Sequence, residues 1–500
     1  MTGNKSGVRA LFLPGSARNC LYLAGLFILS RVAYYAAGVR FVADMDNLIQ
    51  IADTMLLQED LFRTVLLLHY QPPLFNLFIG LICKMFPGHI LEAFHIIYLI
   101  MGLCLCLAVY LLAIRLALRN RWAFTLAGVF AASPAAILLE NWAFYSYPVA
   151  LGLVLAALAL NFYAETKNSG WLFCLFLLMA AVVLTRSMFH PLLMLFVPVG
   201  LFVLLPTCRR QIVTAALIPM MVVGLWMAKN FYTVGGLTTS TLLGMNFYKI
   251  TTMQVPNFER VKMFANGELS KFSLYANFES LDYYRDKTGE VEVFLPSGIP
   301  VIDNERTSRG EPNFNHPAYV SISRRFLRDD LSVIRHHPAV YAEGVMGALS
   351  LYFQPPHDQI FSTENVKKIA PLIRVSDVVL YGQLSSLWRD NYHTEFKSRI
   401  KLSNSLPDIG LFVLAALLAI ILYWPAALLG GGYKGLARPR AITVLFMLFA
   451  VFYVSGVVNL LEIGENARIR FEIEPFIWLL AATAFAGRRK SLSGHGMESE

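Results

Sequence analysis

The chain has 500 residues, of which 56% are hydrophobic and only 15% charged, a balance that would leave a water-soluble domain with more apolar surface than it could bury. Its formal net charge of +9 invites a nucleic-acid partner, but the basic residues gather beside the apolar runs, which accounts for the charge without one. Lipid is the solvent this composition demands for much of the chain.

A helix needs about 20 apolar residues to cross the hydrocarbon core, where backbone polar groups have to be satisfied within the segment. Ten runs qualify, near residues 20–39, 91–114, 122–139, 143–163, 170–186, 189–206, 211–228, 409–430, 441–461 and 474–487. With the N-terminus in the cytoplasm, the inner segments carry Lys5, Arg9 and Arg18; Arg115, Arg119 and Arg121; Lys167; Arg209 and Arg210; Lys434, Arg438 and Arg440; and Arg488, Arg489 and Lys490. Every inner segment is basic, as the positive-inside rule asks. The first run contains Arg31 and is followed by nine more, so it reads as a retained anchor and not as a cleaved leader. The expected fold is an all-α polytopic membrane protein of about ten transmembrane helices with both ends in the cytoplasm.

Between the first two runs, Asp44 to Leu68 shows helical spacing at Leu48, Ile51, Met55 and Leu56 and reads as juxtamembrane helices. The run Pro73 to Phe86 is too short to cross, and counting it would invert every later loop, so it stays on the outer side. Residues 229–408 are aromatic and broken by Gly289, Pro296, Gly298, Pro300, Gly310 and Pro312, the pattern of a small outer domain with turns. Within it, His316 to Phe353 reads as a helix pair lying against lipid headgroups. The chain thus divides into a membrane module at 1–228, whose first outer loop is 40–90, an extracytoplasmic domain at 229–408, and a second membrane module with a cytoplasmic tail at 409–500. All six cysteines lie in or beside apolar runs, which argues against a disulfide-stapled outer domain or a cysteine zinc site.

The unusual polar clusters fall on one side of this topology. They are Asp44-Met45-Asp46-Asn47 and His69-Tyr70-Gln71-Pro72-Pro73-Leu74 in the first outer loop, Glu140-Asn141-Trp142, Thr185-Arg186-Ser187 with His190-Pro191, Lys229-Asn230 with Gly235-Gly236, and Gly464 to Glu472. Six independent two-way choices agree by chance in about one case in thirty, and charges at a membrane edge are costly unless they do something.

An acidic motif opening the first outer loop, a Pro-Pro-Leu at its far end, an acid after the third run and an Arg-x-Arg before the last resemble, in that order, the GT-C superfamily of polyprenyl-phosphate-sugar glycosyltransferases. The likeness is nearest to the bacterial branch holding the aminoarabinose transferases of lipid A and relatives of the protein O-mannosyltransferases. It covers residues 20–235 and 440–480 and leaves most of the outer domain aside. Two departures stand out: Met45 separates the acids, and Gln71 stands where the family often has Lys or His.

The resemblance implies an inverting transferase at the extracytoplasmic face of a bacterial inner membrane. A polyprenyl-phosphate sugar would be the donor, and a lipid, a glycan or a protein the acceptor. Such chemistry needs a carboxylate base and a cationic grip on the leaving phosphate. Asp44 is the expected base with Asp46 in support, unless the two merely cap a helix. Glu140 would orient the acceptor or, with Asp44 and His69, hold a divalent cation; alternatively it is a boundary acid, and His69 is a substrate hydrogen-bonder or a loop histidine with neither role. Arg468 and Arg470 would grip the phosphate, or else pair with Glu465, Glu472 or Glu474. Arg186 and Lys229 add to that grip or anchor at the interface, and Tyr70 and Gln71 are weaker substrate contacts. A flippase for a lipid-linked sugar would need polar groups deep in several spans, which apart from Arg31 are nearly free of charge; a surface-glycan polymerase or ligase would not need the Asp44 cluster.

Overall fold

A computed structural model describes residues 16–45, 48–359, 363–384, 410–427 and 438–494. Among them no strand forms, and the regular elements are helices apart from two isolated bridges, Val42 with Trp142 and Arg306 with Pro312. The helices used below are α1 (Ser16–Ala36), α2 (Pro73–Met85), α3 (Ile90–Arg115), α4 (Asn120–Ala132), α5 (Pro134–Glu140), α6 (Ser146–Thr166), α7 (Ser169–Thr185), α8 (Leu193–Leu204), α9 (Arg209–Val234), α10 (Ala318–His336), α11 (Pro338–Tyr352), α12 (Leu411–Ala427), α13 (Arg438–Leu461), α14 (Asn466–Arg470) and α15 (Glu474–Gly494).

Four helices among the described residues are long and apolar enough to cross a membrane: α3, α6, α9 with its preceding 3-10 turn, and α13 from Pro439. The pair α4 and α5 makes a fifth if counted as one broken span, bent by 55°. That bend has a local cause. Ser133 caps α5 by accepting from the Ala136 N–H at 3.3 Å, and Pro134 at the first helical position has no N–H to carry α4 onward. The other expected runs yield shorter helices: α7 and α12 have 17 residues and α8 has 12. At about 1.5 Å per residue these rise about 18–26 Å, less than the hydrocarbon core of about 30 Å. α1 has 21 residues, but Arg18, Asn19 and Arg31 dilute it. The 13-residue α2 is short, as its sequence suggests.

α6 is the axis of the fold. It packs on α3, α7 and α13, and Asn161 near its end donates to the Thr443 hydroxyl at 3.1 Å while Arg115 pairs with Glu165. α9 is the opposite case: Val213, Leu217, Ile218 and Leu225 all point outward, an apolar surface that water would penalise and lipid would not.

Residues 235–359 and 363–384 are built from helices of at most 19 residues around an aromatic core of Tyr248, Phe272, Tyr284, Tyr319 and Phe326, all buried. The expected helix pair is present as α10 and α11. Between α1 and α2, however, the chain has no helix from Arg40 to Met45 and helices begin only at Thr54, where Asp53 caps the turn by accepting from the Met55 N–H at 3.0 Å. The reason is pairing: the Val42 N–H donates to Asn141 O and the Ala143 N–H to Val42 O, each at 2.9 Å. This two-bond ladder takes Val42 out of reach of a helix.

Candidate functional site

The ladder fixes the acidic end of the first loop against the segment that follows α5. Asp44 lies two residues past Val42 and is exposed; Asp46 lies outside the described residues. Beyond Glu140, Trp142, Phe144 and Tyr145 form a buried ring stack, with centroids 4.3 Å apart for Trp142 and Phe144 and 4.1 Å for Phe144 and Tyr145. Two guanidinium groups sit on it. Arg468 lies 4.5 Å from the Phe144 centroid and 5.7 Å from that of Trp142, and Arg186 lies 4.7 Å from that of Tyr145, within cation–π range. Pieces of chain at 42, 142–146, 186 and 465–472 therefore meet in one place, with Asp44 two residues on from the first of them.

Both arginines are fixed by carboxylates. Arg186 pairs with Glu472. Arg468 donates to Glu465 Oε2 at 2.5 Å and to Ser146 Oγ at 2.9 Å. Burial opposes charge on Arg468, but Glu465 and Tyr145 outweigh it and hold the guanidinium above its usual range. Burial likewise works against the Glu465 carboxylate, and Arg468 and Lys249 together hold it below its usual range. The pairing with acids and an anion grip are compatible, since a guanidinium carries five N–H donors.

Arg470 does not join this group. Two positions along a helix are about 200° apart, so α14 turns Arg468 toward the ring stack and Arg470 the other way. There its Nη1 donates to Tyr352 O, and its Nη2 stands 4.0 Å from Glu474 Oε2. Arg186 takes the place beside Arg468 that Arg470 was expected to fill.

Glu140 also faces elsewhere. Its carboxylate accepts from Arg31 Nε at 2.9 Å, from Arg31 Nη2 and from the Tyr147 hydroxyl at 3.0 Å. The bend at Ser133 turns α5 toward α1, and Gly102 on α3 makes room, because a Cβ there would overlap the carboxylate. The Arg31 partner had been legible only as a lone charge in the first run.

His69 and Lys229 form a second cluster. The buried His69 ring places Nε2 2.8 Å from Asn315 O and Nδ1 3.0 Å from Thr241 Oγ1, so Nε2–H donates to the carbonyl and Nδ1 accepts from the hydroxyl. Burial lowers its pKa to about 4. Tyr70 is buried with its carbonyl accepting from Ser240 Oγ at 2.6 Å, Gln71 is half-buried, and Lys229 donates to Leu68 O and lies over the Trp226 ring. This cluster clamps the loop between α1 and α2 to the segment that follows α9, through Thr241 and Asn315, which no sequence motif marks.

The expected metal set of Asp44, Glu140 and His69 does not fit a cation. Glu140 is taken by Arg31 and Tyr147, both His69 nitrogens are engaged, and no three His, Cys, Asp or Glu side chains gather for a metal among the described residues. The region is thus a charge-balanced, aromatic-lined cluster in an all-helical protein with four or five helices of membrane-crossing length. No family model matches the chain, and no curated protein does.

Proposed function

We propose that this chain is an inverting glycosyltransferase of the GT-C type, embedded in a bacterial inner membrane by about ten helices, that uses a polyprenyl-phosphate sugar at the extracytoplasmic face. The shorter apolar helices α7, α8 and α12, with α1 and α15, supply the further crossings in this reading. The observation that carries it is the convergence of the Asp44 segment with Arg468 and Arg186 on the stack of Trp142, Phe144 and Tyr145.

The chemistry follows from that arrangement. The acceptor hydroxyl gives its proton to the Asp44 carboxylate as its oxygen attacks the anomeric carbon from the face opposite the phosphate. The bond between that carbon and the phosphate oxygen breaks, and its electron pair leaves on the phosphate, which meets the Arg468 and Arg186 guanidiniums. Glu465 and Glu472 act as positioning residues that hold the two forks in register.

The test is transfer of label from a polyprenyl-phosphate sugar in membranes carrying wild type, Asp44→Asn or Arg468→Ala. Each variant should lose about 100-fold or more in rate, the scale of a general base or of one oxyanion-stabilising donor, while Arg468→Lys retains part of it. Full activity in both loss variants overturns the assignment, and movement of labelled lipid between leaflets without product would favour a transporter.

A further inference from the structure

Behind Arg470 lies a cavity of about 290 Å³ that the reaction above does not use. Its walls are apolar, with Leu126 from α4, Phe412 and Ala416 from α12 and Ala482 from α15 among them, and the two charged side chains that line it are Arg470 and Glu474. Both are buried. Arg470 spends Nη1 on the Tyr352 carbonyl, while its Nε and Nη2 have no hydrogen-bond partner among the described residues; the Glu474 carboxylate accepts from Trp478 Nε1 at 3.3 Å through Oε1 and has the Tyr381 hydroxyl beside it, which leaves Oε2 without a closely bonded donor.

A buried donor and a buried acceptor left unpaired are rare, and each carries a desolvation cost that a partner would relieve. Nη2 and Oε2 stand 4.0 Å apart, too far to bond each other and close enough for one oxygen to bond both. The bridging group has to accept from the guanidinium and donate to the carboxylate. It also has to be uncharged: the pair is already balanced, an anion would face Glu474, and a cation would face Arg470. Neither His357 nor Asp377, which stand 3.2 Å apart, lines the cavity. A hydroxyl meets these conditions, and the apolar walls suit a hydrocarbon chain behind it.

We propose that this cavity is a binding site for a neutral lipid alcohol, with the hydroxyl between Arg470 and Glu474 and the chain among α4, α12 and α15. The site is on the far side of α14 from Arg468, so it does not depend on the transferase reading.

The experiment uses the full chain in phosphatidylcholine nanodiscs with a 1-hexadecanol probe carrying a mid-chain diazirine, followed by photolysis and peptide mapping. Saturable labelling of 411–427 and 474–486 is expected. Unlabelled 1-hexadecanol should compete, and hexadecyl phosphate should not. Ala416→Trp and, independently, Ala482→Trp should fill the cavity and cut labelling about ten-fold, and Glu474→Gln should weaken competition by the alcohol. Labelling that does not saturate in the wild type overturns the proposal, as does labelling that survives both tryptophan variants. Hexadecyl phosphate competing better than the alcohol would overturn it too, because the site would then be one for an anionic headgroup.

Discussion

Arg31→Met removes one partner of the ion pair that locks α1 to α5. Glu140 is 1% exposed and the Arg31 side chain 10%, so water cannot take over from the lost guanidinium. The carboxylate would keep only the Tyr147 hydroxyl at 3.0 Å, and Ala131 O would lose the Arg31 Nη1 donor at 2.8 Å. Breaking a buried pair from one side costs about 3–5 kcal/mol, whereas replacing both partners by apolar groups is near neutral. Arg31→Met should therefore lose stability on that scale, and Arg31→Met with Glu140→Leu should recover most of it, less about 1–3 kcal/mol for the stranded Tyr147 hydroxyl. Unfolding in mixed micelles, followed by a thiol-reactive dye reporting the buried Cys83 and Cys106, gives the three numbers needed. If Arg31→Met is as stable as wild type, or if the double variant equals the sum of the singles, the pair is not the lock described.

Gly102→Ala should act as a second route to the same injury, since the new methyl displaces the Glu140 carboxylate, and its loss should shrink when Glu140 is already Leu. For His69, the folded pKa of about 4 lies below the unfolded value of 6.5, so its contribution is complete above pH 6.5 and drains away as pH falls toward 4. That contribution is about 3 kcal/mol, and His69→Gln should flatten this part of a stability–pH curve measured by thermal unfolding. Asp53→Ala removes the cap on Thr54–Glu59 together with the bonds it accepts from Ser308 N and Oγ, both 2.6 Å. The expected loss is about 1 kcal/mol, with faster amide exchange at 305–312; unchanged exchange there would show that Asp53 does not tether that segment.

The long runs were legible because continuous apolarity has no soluble alternative: α3, α6, α9 and α13 all appear where the sequence puts a crossing. Breaks were less so. Ser133-Pro134 is a stop signal in plain view, yet the apolar residues either side of it read as one run. In the first loop, the periodicity from Leu48 to Leu56 suggested a helix beginning at Asp44, but a main-chain ladder to residues 141–143, about a hundred positions on, decides that conformation. Side-chain direction was the main loss. An Arg-x-Arg on a helix must face two ways, so the spacing already separated Arg468 from Arg470, but which of them would meet Arg186 depended on a contact across 282 positions of sequence. His69 shows the same limit, because its partners Thr241 and Asn315 carry no motif.

Ser146 and Tyr147 open α6 side by side, and each holds a different ion pair: Ser146 Oγ binds Arg468, and the Tyr147 hydroxyl binds Glu140. Consecutive Cα atoms are separated by one rigid peptide of about 3.8 Å, so the two attachments start from neighbouring points on one helix. A rotation of α6 that loosened Glu140 from Arg31 would swing Ser146 away from Arg468 in the same stroke. The start of this helix works as a lever with two loads, and the lock inside the bundle and the arginine cluster at its rim cannot be tuned separately.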